Sequence, residues 1–245
     1  MAVLFHAKGR LARVTLARPP LNVLDIEHLG LLADMLERAR DAAIIVLEST
    51  APGAFSAGND VSDHTPERAP QMLSAFHRAI RALLGTDAVT VADVRGDALG
   101  GGCELVAACD LAYATPKAMF GQPEIDVGCF PPVAASLLPR RIGWTRAAEL
   151  ILTGRRIDAG LACAWGLITD VAPNGAERKT KELESKSPAV LRAAKKALRN
   201  AARGTLIDGI EKAERIYVDD LLPLDDCREG IDAFLTKRKP FWEGK

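Results

Sequence analysis

The sequence has no surplus of charge of either sign: its 245 residues carry 32 basic and 32 acidic side chains. A nucleic-acid-binding surface needs clustered and unbalanced Lys and Arg, so this balance argues against that class of protein. No apolar run approaches the roughly 20 residues that span a bilayer, which argues against a membrane protein. The first residues, MAVLFHAKGRLARVTL, lack a signal-peptide layout because charges interrupt the apolar stretch early.

Paired redox motifs and metal-ligand motifs are missing as well. The five cysteines form no C-x-x-C pair and lie mostly in apolar runs, and no cluster of His, Cys and Asp has the spacing of metal ligands. We therefore expect buried, reduced thiols and no metal site in a soluble, cytoplasmic protein. The cysteines are Cys103, Cys109, Cys129, Cys163 and Cys227.

Strand and helix patterns alternate over about the first 140 residues. This alternation is typical of an α/β domain with parallel strands. Beyond Pro139 nearly every segment has a helical pattern, and only 167–171 resembles a strand. The sequence therefore predicts an α/β body followed by helices that pack on the body or on a neighbouring subunit. The predicted strands of the body are 10–17, 43–49, 89–96 and 111–115, and its predicted helices are 26–41, with Asp25 as N-cap, 67–84 and 103–110.

Two glycine-containing loops are the first candidates for chemistry. The run Gly100–Gly102 leads into an apolar helix, so its backbone N–H groups can approach a phosphate or an oxyanion with the helix dipole behind them. The second loop, Ala57–Asp60, follows another strand and could supply a second donor. Two converging N–H donors are what an oxyanion hole requires. The run Gly100–Gly102 taken alone is equally compatible with a close helix–strand packing turn, and Ala57–Asp60 taken alone is better explained as a simple turn.

Two glutamates lie in surroundings where a carboxylate is costly. Glu104 opens an apolar helix, and Glu124 is flanked by apolar residues in FGQPEIDVG. A buried and unpaired carboxylate has a raised pKa, which suits general acid–base catalysis near neutral pH. The alternative for each glutamate is a charge at a helix N-terminus or a buried salt bridge.

The motifs together, in their order along the chain, resemble the crotonase (enoyl-CoA hydratase/isomerase) superfamily over essentially the whole length. A single glycine cluster would be weak evidence, whereas seven ordered motifs are specific. They are RVTLARPPLNVLD, FSAGND, VRGDALGGGCELVAACDLAYAT, FGQPEIDVG, AAELILTGRRIDAGLACAWGLITDV, SPAVLRAAKKAL and EGIDAFLTKRKP.

The resemblance implies a fold, an assembly and a ligand. The fold is α/β, a crotonase-like spiral of strand–strand–helix turns over 1–185, with a C-terminal helical trimerisation region over 186–245. Homo-trimers or dimers of trimers are expected. The ligand is an acyl-CoA thioester between the two glycine loops, so coenzyme A is part of the substrate and no separate cofactor is expected. The resemblance assigns the oxyanion hole to the N–H groups of Ala57 and Gly101. The substrate-binding residues carried over are Ala57, Gly58, Asn59, Asp60 and Gly101.

Retention of both glutamates favours a hydratase over other members of the superfamily. Family hydratases resemble this chain in having a glutamate after GGGC and another in QPE, whereas isomerases commonly keep only the second. We expect Glu104 to act as the base toward water and Glu124 as the proton donor. The alternatives are an enoyl-CoA isomerase, another enolate reaction on an acyl-CoA, and a non-catalytic acyl-CoA-binding protein.

The stretch after QPE departs from the usual hydratase pattern. Gly128–Ser136 reads GCFPPVAAS in place of a glycine-rich segment, and Pro132 has no N–H to help seat a water molecule. With PPLNVLD and DHTPE, this stretch most resembles the cyclohexa-1,5-diene-1-carbonyl-CoA hydratases. His64 is expected at the surface, with the acyl pocket as the alternative. The basic Lys237–Lys239 is expected to be a solvated helix end, with a contact to a neighbour's CoA as the alternative.

Overall fold

The computed structural model describes residues 3–201, 210 and 214–241. Its largest sheet has six strands, of which the first two pair antiparallel and the rest are parallel. Buried apolar side chains on this sheet and the helices around it form the main core. In spatial order the strands are β1 (Val3–Lys8), β2 (Leu11–Leu16), β4 (Ile44–Ser49), β7 (Val89–Val94), β9 (Leu111–Ala114) and β12 (Asp170–Val171).

A second, smaller sheet has four short strands. Three of them run parallel to one another, and the fourth, at the edge of the sheet, is antiparallel to its neighbour. A separate two-stranded parallel pair joins β3 (Val23–Leu24) to β6 (Gly58–Asn59). In spatial order the four strands are β11 (Arg156–Asp158), β10 (Met119–Gly121), β8 (Asp97–Leu99) and β5 (Ala54–Ser56).

Nine α-helices are seen in the described part of the chain. None of its helices is long and apolar enough to cross a membrane. Short 3-10 turns cover Val61–His64 and Pro123–Val127, and Ile216–Leu221 is π-helical. The α-helices are α1 (Ile26–Arg38), α2 (Ala69–Gly85), α3 (Gly101–Ala108), α4 (Pro132–Ile142), α5 (Trp144–Thr153), α6 (Ala159–Trp165), α7 (Gly175–Glu184), α8 (Pro188–Ala201) and α9 (Asp225–Leu235).

The two sheets are linked by a unit that occurs three times along the chain. In each unit a strand of the six-stranded sheet is followed by a strand of the four-stranded sheet and then by a helix. The units are β4–β5–α2, β7–β8–α3 and β9–β10–α4. Successive units stack side by side, so the chain forms a spiral of strand–strand–helix turns. This is the predicted fold class.

Local sequence explains why the first helices form where they do. The side chain of Asp25 accepts a hydrogen bond from the N–H of His28 at 3.0 Å and caps α1 as predicted. The apolar stripe of α1, with Leu29, Leu32 and Leu36, is buried and packs against α2. In β4 the first four residues are buried, as expected for a central parallel strand.

Several sequence predictions were incomplete. The four main parallel strands and the helices of the body are confirmed, but β1 was not expected, and the short strands β5 and β8 lie in segments predicted as loops. The strand predicted at 167–171 was too long, because only Asp170–Val171 pairs with β9. Residues 208–222 are among the segments predicted as helical beyond Pro139; they lie partly outside the described residues, and Ile216–Leu221 is π-helical.

The C-terminal helices pack on the body of their own chain. The ammonium of Lys195 on α8 is buried between the carbonyl of Ala88 and the carboxylate of Asp110, at 2.5 and 2.7 Å. Helix α9 packs against the 3-10 turns Val61–His64 and Pro123–Val127. The division at residue 185 and the assembly into trimers stay predictions.

Close backbone contact between turns of the spiral gives a stability test. A Cβ at Gly96 would lie 2.2 Å from the carbonyl carbon of Gly53, so Gly96→Ala forces the backbone apart. We expect the variant to lose about 1–3 kcal/mol of unfolding free energy, measured by urea denaturation. The matched control is Gly30→Ala on α1, where a Cβ meets nothing within 4 Å. The control should gain about 0.5–1 kcal/mol, and equal urea midpoints for the two variants would contradict the packing.

Candidate active site

Three site segments leave the carboxyl ends of three neighbouring parallel strands. Strand β5 leads into the loop Ala57–Asp60, β8 into Gly100–Gly102, and β10 into the segment Gln122–Glu124. These strands lie side by side in the four-stranded sheet, in the order β10, β8, β5. Carboxyl ends of adjacent parallel strands meet at one edge of a sheet, where ligands of α/β folds bind. The fold thus brings both predicted glycine loops and Glu124 to one place.

The two glycine loops touch through their backbones. A Cβ at Gly58, whose φ is +93°, would lie 2.9 Å from the Gly101 nitrogen. A Cβ at Gly102 would lie 2.3 Å from the Ser56 carbonyl oxygen. No side chain fits at either position without moving the backbone. The glycines are therefore required for the approach of the loops, which accounts for their presence in both segments.

Glu104 is buried at the N-terminus of a second helix. Its side chain projects from the first turn of α3, it is 2% exposed, and its Oε1 accepts a hydrogen bond from the N–H of Ala134 at 2.6 Å. Ala134 and Val133 follow Pro132, the first residue of α4, where a missing N–H costs nothing. Burial raises the pKa of Glu104 to about 7, and the N–H groups of Ala134 and Val133 lower it only in part.

Glu124 lies beside the first glycine of the second loop. A Cβ at Gly100, where φ is +53°, would lie 2.8 Å from Oε1 of Glu124. The amide of the fully buried Gln122, in the orientation that satisfies both its polar atoms, donates to the two carboxylate oxygens at 3.2 and 3.3 Å. Burial, and next the charge of Glu104, raise the pKa of Glu124 well above its usual range.

The two carboxyl groups form one electrostatic unit. The negative charge of Glu104 raises the pKa of Glu124. No lysine or arginine of the described residues shifts the pKa of either glutamate. Within the described residues, neither glutamate forms the buried salt bridge that the sequence analysis considered. The other alternative, a carboxylate at a helix N-terminus, applies to Glu104. Two such groups favour a state with one shared proton, because like charges at close range resist double ionisation. The pair can give one proton and take another near neutral pH.

The two predicted oxyanion donors differ in their hydrogen bonding. Gly101 is the first residue of α3, so its N–H has no acceptor within the helix. The N–H of Ala57 donates to the carbonyl of Leu21 at 2.9 Å. To hold a thioester oxygen, Ala57 must share or release this bond. The oxyanion role of both residues stays a prediction.

The other loop residues have structural contacts. The Nδ2 of Asn59 contacts the Met72 sulfur at 3.3 Å, while its Oδ1 is buried beside Gly101 without a hydrogen-bond partner among the described residues. Asp60 accepts hydrogen bonds from the N–H and the hydroxyl of Ser62, at 2.9 and 2.7 Å, and so begins the 3-10 turn. Their predicted role in substrate binding stays a prediction.

His64 is a correction to the sequence analysis. It was expected at the surface, but it is only 8% exposed, because it ends the 3-10 turn beneath α9. Burial lowers the pKa of its imidazole. Sequence reasoning also missed Gln122 and the N–H groups of Val133 and Ala134, whose pairing with the glutamates depends on tertiary contacts. Lys237–Lys239 follow the end of α9 and are exposed, as expected, and the guanidinium of Arg238 pairs with Glu229 and Asp232 of that helix, both at 2.6 Å.

Comparison with known proteins agrees with this architecture. The model of the enoyl-CoA hydratase/isomerase family matches residues 6–245. A protein of Thauera aromatica named cyclohexa-1,5-dienecarbonyl-CoA hydratase is 34% identical, over 100% of this chain and 97% of its own. A probable enoyl-CoA hydratase of Mycobacterium leprae is also 34% identical, over 97% of this chain and 96% of its own.

Solved structures have the same fold. The enoyl-CoA hydratase/isomerase of Pseudoalteromonas atlantica superposes with a TM-score of 0.85 at 28% identity and covers 99% of this chain and 100% of its own. The enoyl-CoA hydratase of Bacillus halodurans, at 24% identity, has a TM-score of 0.88 over 95% of this chain and 100% of its own. The fold is the crotonase spiral, and the chain belongs to the enoyl-CoA hydratase/isomerase family.

The raised pKa of Glu104 predicts a pH-dependent stability. Between the ordinary glutamate pKa of 4.5 and about 7, the folded state holds a proton that the unfolded state releases. Folding is therefore weakened as pH rises through this window, because deprotonation leaves a buried charge. Glu104→Gln removes that titration. We expect the wild type to lose more unfolding free energy than the variant between pH 5 and pH 8, measured by urea denaturation. Parallel pH profiles would contradict the assignment.

Proposed function

We propose that the chain is an enoyl-CoA hydratase, which adds water across the α,β double bond of an acyl-CoA thioester. The observation that carries this proposal is the pair of carboxyl groups, Glu104 and Glu124, beside the glycine loop of α3. The names of the Thauera aromatica and Mycobacterium leprae relatives support the same reaction.

The raised pKa values of the two glutamates support different roles, one as general base and the other as general acid. With a pKa of about 7, Glu104 is a carboxylate in a large fraction of molecules at neutral pH, and a carboxylate can take a proton from water. Burial and the charge of Glu104 raise the pKa of Glu124 well above its usual range, which favours the protonated form that a proton donor needs. A general base must be ionised and a general acid protonated at the working pH, and the proposed roles follow that condition.

The proposed reaction moves one water and two protons. The water oxygen forms a bond to Cβ while Glu104 takes one of its protons, and the electron pair of the double bond moves toward the thioester as an enolate. Glu124 then gives its proton to Cα, which restores the thioester carbonyl. Transfer of a proton from Glu104 to Glu124 returns the pair to its starting state. The net change is the addition of one water molecule.

The developing enolate needs a positive environment at the thioester oxygen. We assign this role to the N–H of Gly101, which carries the positive end of the α3 dipole, with Ala57 as the second donor once its bond to Leu21 is shared. Pre-aimed donors stabilise the charge that develops in the transition state more than the neutral ground state. Coenzyme A enters only as part of the substrate.

For the acyl group, we propose cyclohexa-1,5-diene-1-carbonyl-CoA. The named relative from Thauera aromatica supports this choice. The segment Gly128–Ser136, GCFPPVAAS, supports it by its resemblance to hydratases of this substrate; within this segment Pro132 begins α4, whose N-terminus hydrogen-bonds Glu104. The segment that replaces the glycine-rich stretch of other hydratases thus holds the base.

The role of the two glutamates predicts the effect of neutral variants. We expect Glu104→Gln and Glu124→Gln each to lower kcat for hydration by on the order of 10²–10⁴-fold, because each removes one proton-transfer group. The matched control is Glu184→Gln at the exposed end of α7, which should keep the wild-type rate. Hydration at the wild-type rate by both site variants would overturn the mechanism. An essential Glu124 with a dispensable Glu104 would instead indicate an isomerase.

The substrate is tested by a direct comparison of two thioesters. We expect kcat/KM for hydration of cyclohexa-1,5-diene-1-carbonyl-CoA to exceed that of crotonyl-CoA. The measurement is the change in ultraviolet absorbance as the conjugated double bond is lost. A preference for crotonyl-CoA would contradict the cyclic substrate and leave the hydratase proposal in place.

A further inference from the structure

Three aromatic rings from three distant segments form a continuous row near the carboxylate pair. The ring centroids of His64 and Tyr217 are 6.4 Å apart, and those of Tyr217 and Phe130 are 5.2 Å apart. Both pairs are tilted, at 53° and 56°, in the range that aromatic pairs favour. We call His64, Tyr217 and Phe130 the aromatic wall.

The two outer rings of the aromatic wall are joined to the site loops. His64 ends the short turn that Asp60 begins, and its Nδ1 lies 3.0 Å from the Asp60 carbonyl oxygen. Phe130 follows Cys129, whose N–H donates to the carbonyl of Glu124 at 3.0 Å. The wall therefore spans from the first glycine loop to the segment that carries Glu124.

The central ring, that of Tyr217, is buried and packed against neighbouring side chains. Tyr217 is 1% exposed, and burial raises the pKa of its hydroxyl well above its usual range, together with the nearby Cys129, Cys227 and Glu124. The sulfurs of Cys129, in the segment after Glu124, and Cys227, on α9, are 4.0 Å apart and lie near the Tyr217 ring. The buried Tyr217 hydroxyl has no nitrogen or oxygen partner among the described residues and interacts with the thiol of Cys129, so a Tyr217→Phe variant separates the hydroxyl from the volume of the ring.

Helix α9 leaves little freedom for the wall to move. A Cβ at Gly230 would lie 2.3 Å from the Val127 carbonyl oxygen, so the helix backbone rests directly on the turn after Glu124. The same helix packs on the turn that carries His64. Interiors packed in this way do not yield to an added methylene without strain.

We propose that Tyr217, with His64 and Phe130, closes the acyl end of the site and restricts the substrate to compact acyl groups, cyclic or short, while excluding long straight chains. This inference rests on the proposed acyl-CoA site. Tyr217 acts here as a specificity-determining residue: it takes no part in proton transfer, and its volume limits the length of the acyl group.

The experiment compares binding of two unreactive thioesters, butyryl-CoA and decanoyl-CoA, by calorimetry. The variants are Tyr217→Leu, which shortens the wall, and Tyr217→Phe, which keeps the ring. A matched control is Tyr113→Leu, at a buried tyrosine in a separate apolar cluster against α7. In the wild type and in Tyr217→Phe we expect butyryl-CoA to bind at least 10-fold more tightly than decanoyl-CoA. Tyr217→Leu should reduce that ratio at least 10-fold, and Tyr113→Leu should leave it unchanged.

Three results would overturn the inference: equal wild-type affinity for the two thioesters, an unchanged ratio in Tyr217→Leu, or an equal change in Tyr113→Leu. If Tyr217→Leu does not fold, the same ratio measured in Phe130→Ala, at a partly exposed ring, decides the question. Because the ligands are unreactive, the binding ratio is independent of hydration. Absence of hydration together with the expected change in ratio would reject the hydratase proposal and keep the wall.

Discussion

The site depends on one steric constraint, the backbone-to-backbone contact between the loop after β5 and the loop after β8. Gly58 faces the nitrogen of Gly101, and Gly102 faces the carbonyl of Ser56, at separations that leave no room for a Cβ. This contact sets the position of α3, because Gly101 is its first residue. The position of α3 in turn fixes where Glu104 enters the core. A side chain at these glycines would displace the first proposed oxyanion donor and the proposed base together.

The second determinant is the balance of forces on a buried carboxylate. Full burial without a counter-charge would leave Glu104 protonated well above neutral pH, whereas the N–H groups at the start of α4 favour its ionised form. Their partial compensation gives a pKa of about 7. Glu124 is hydrogen-bonded by the neutral Gln122, and burial and the charge of Glu104 raise its pKa well above its usual range. The different roles proposed for two identical side chains thus arise from their neighbours.

The sequence was sufficient for elements with strong periodicity or a specific motif. Helix α1, its cap Asp25 and the buried strand β4 were predicted correctly, and the glycine runs and both glutamates are candidates that the sequence alone indicates. The strands β5, β8 and β10 are only three residues long, too short to carry a periodic signal, although they direct all three site segments to one edge. Contacts such as Ala134 with Glu104, or the burial of His64 beneath α9, join residues far apart in sequence and leave no local pattern.

The spiral separates the parts that would perform chemistry from the part that would select the substrate. Successive strand–strand–helix turns deliver one site segment each, so the donors and both carboxyl groups come from a regular and rigid repeat. Tyr217 belongs to a different region, the C-terminal helices, and helix α9 of this region packs over the turns after Asp60 and Glu124. A change in the C-terminal helices can therefore alter the space for the acyl group without moving the proton-transfer pair. We therefore propose that Tyr217 restricts the acyl group from outside the repeat that holds the proposed catalytic groups, whereas its partners His64 and Phe130 lie within that repeat.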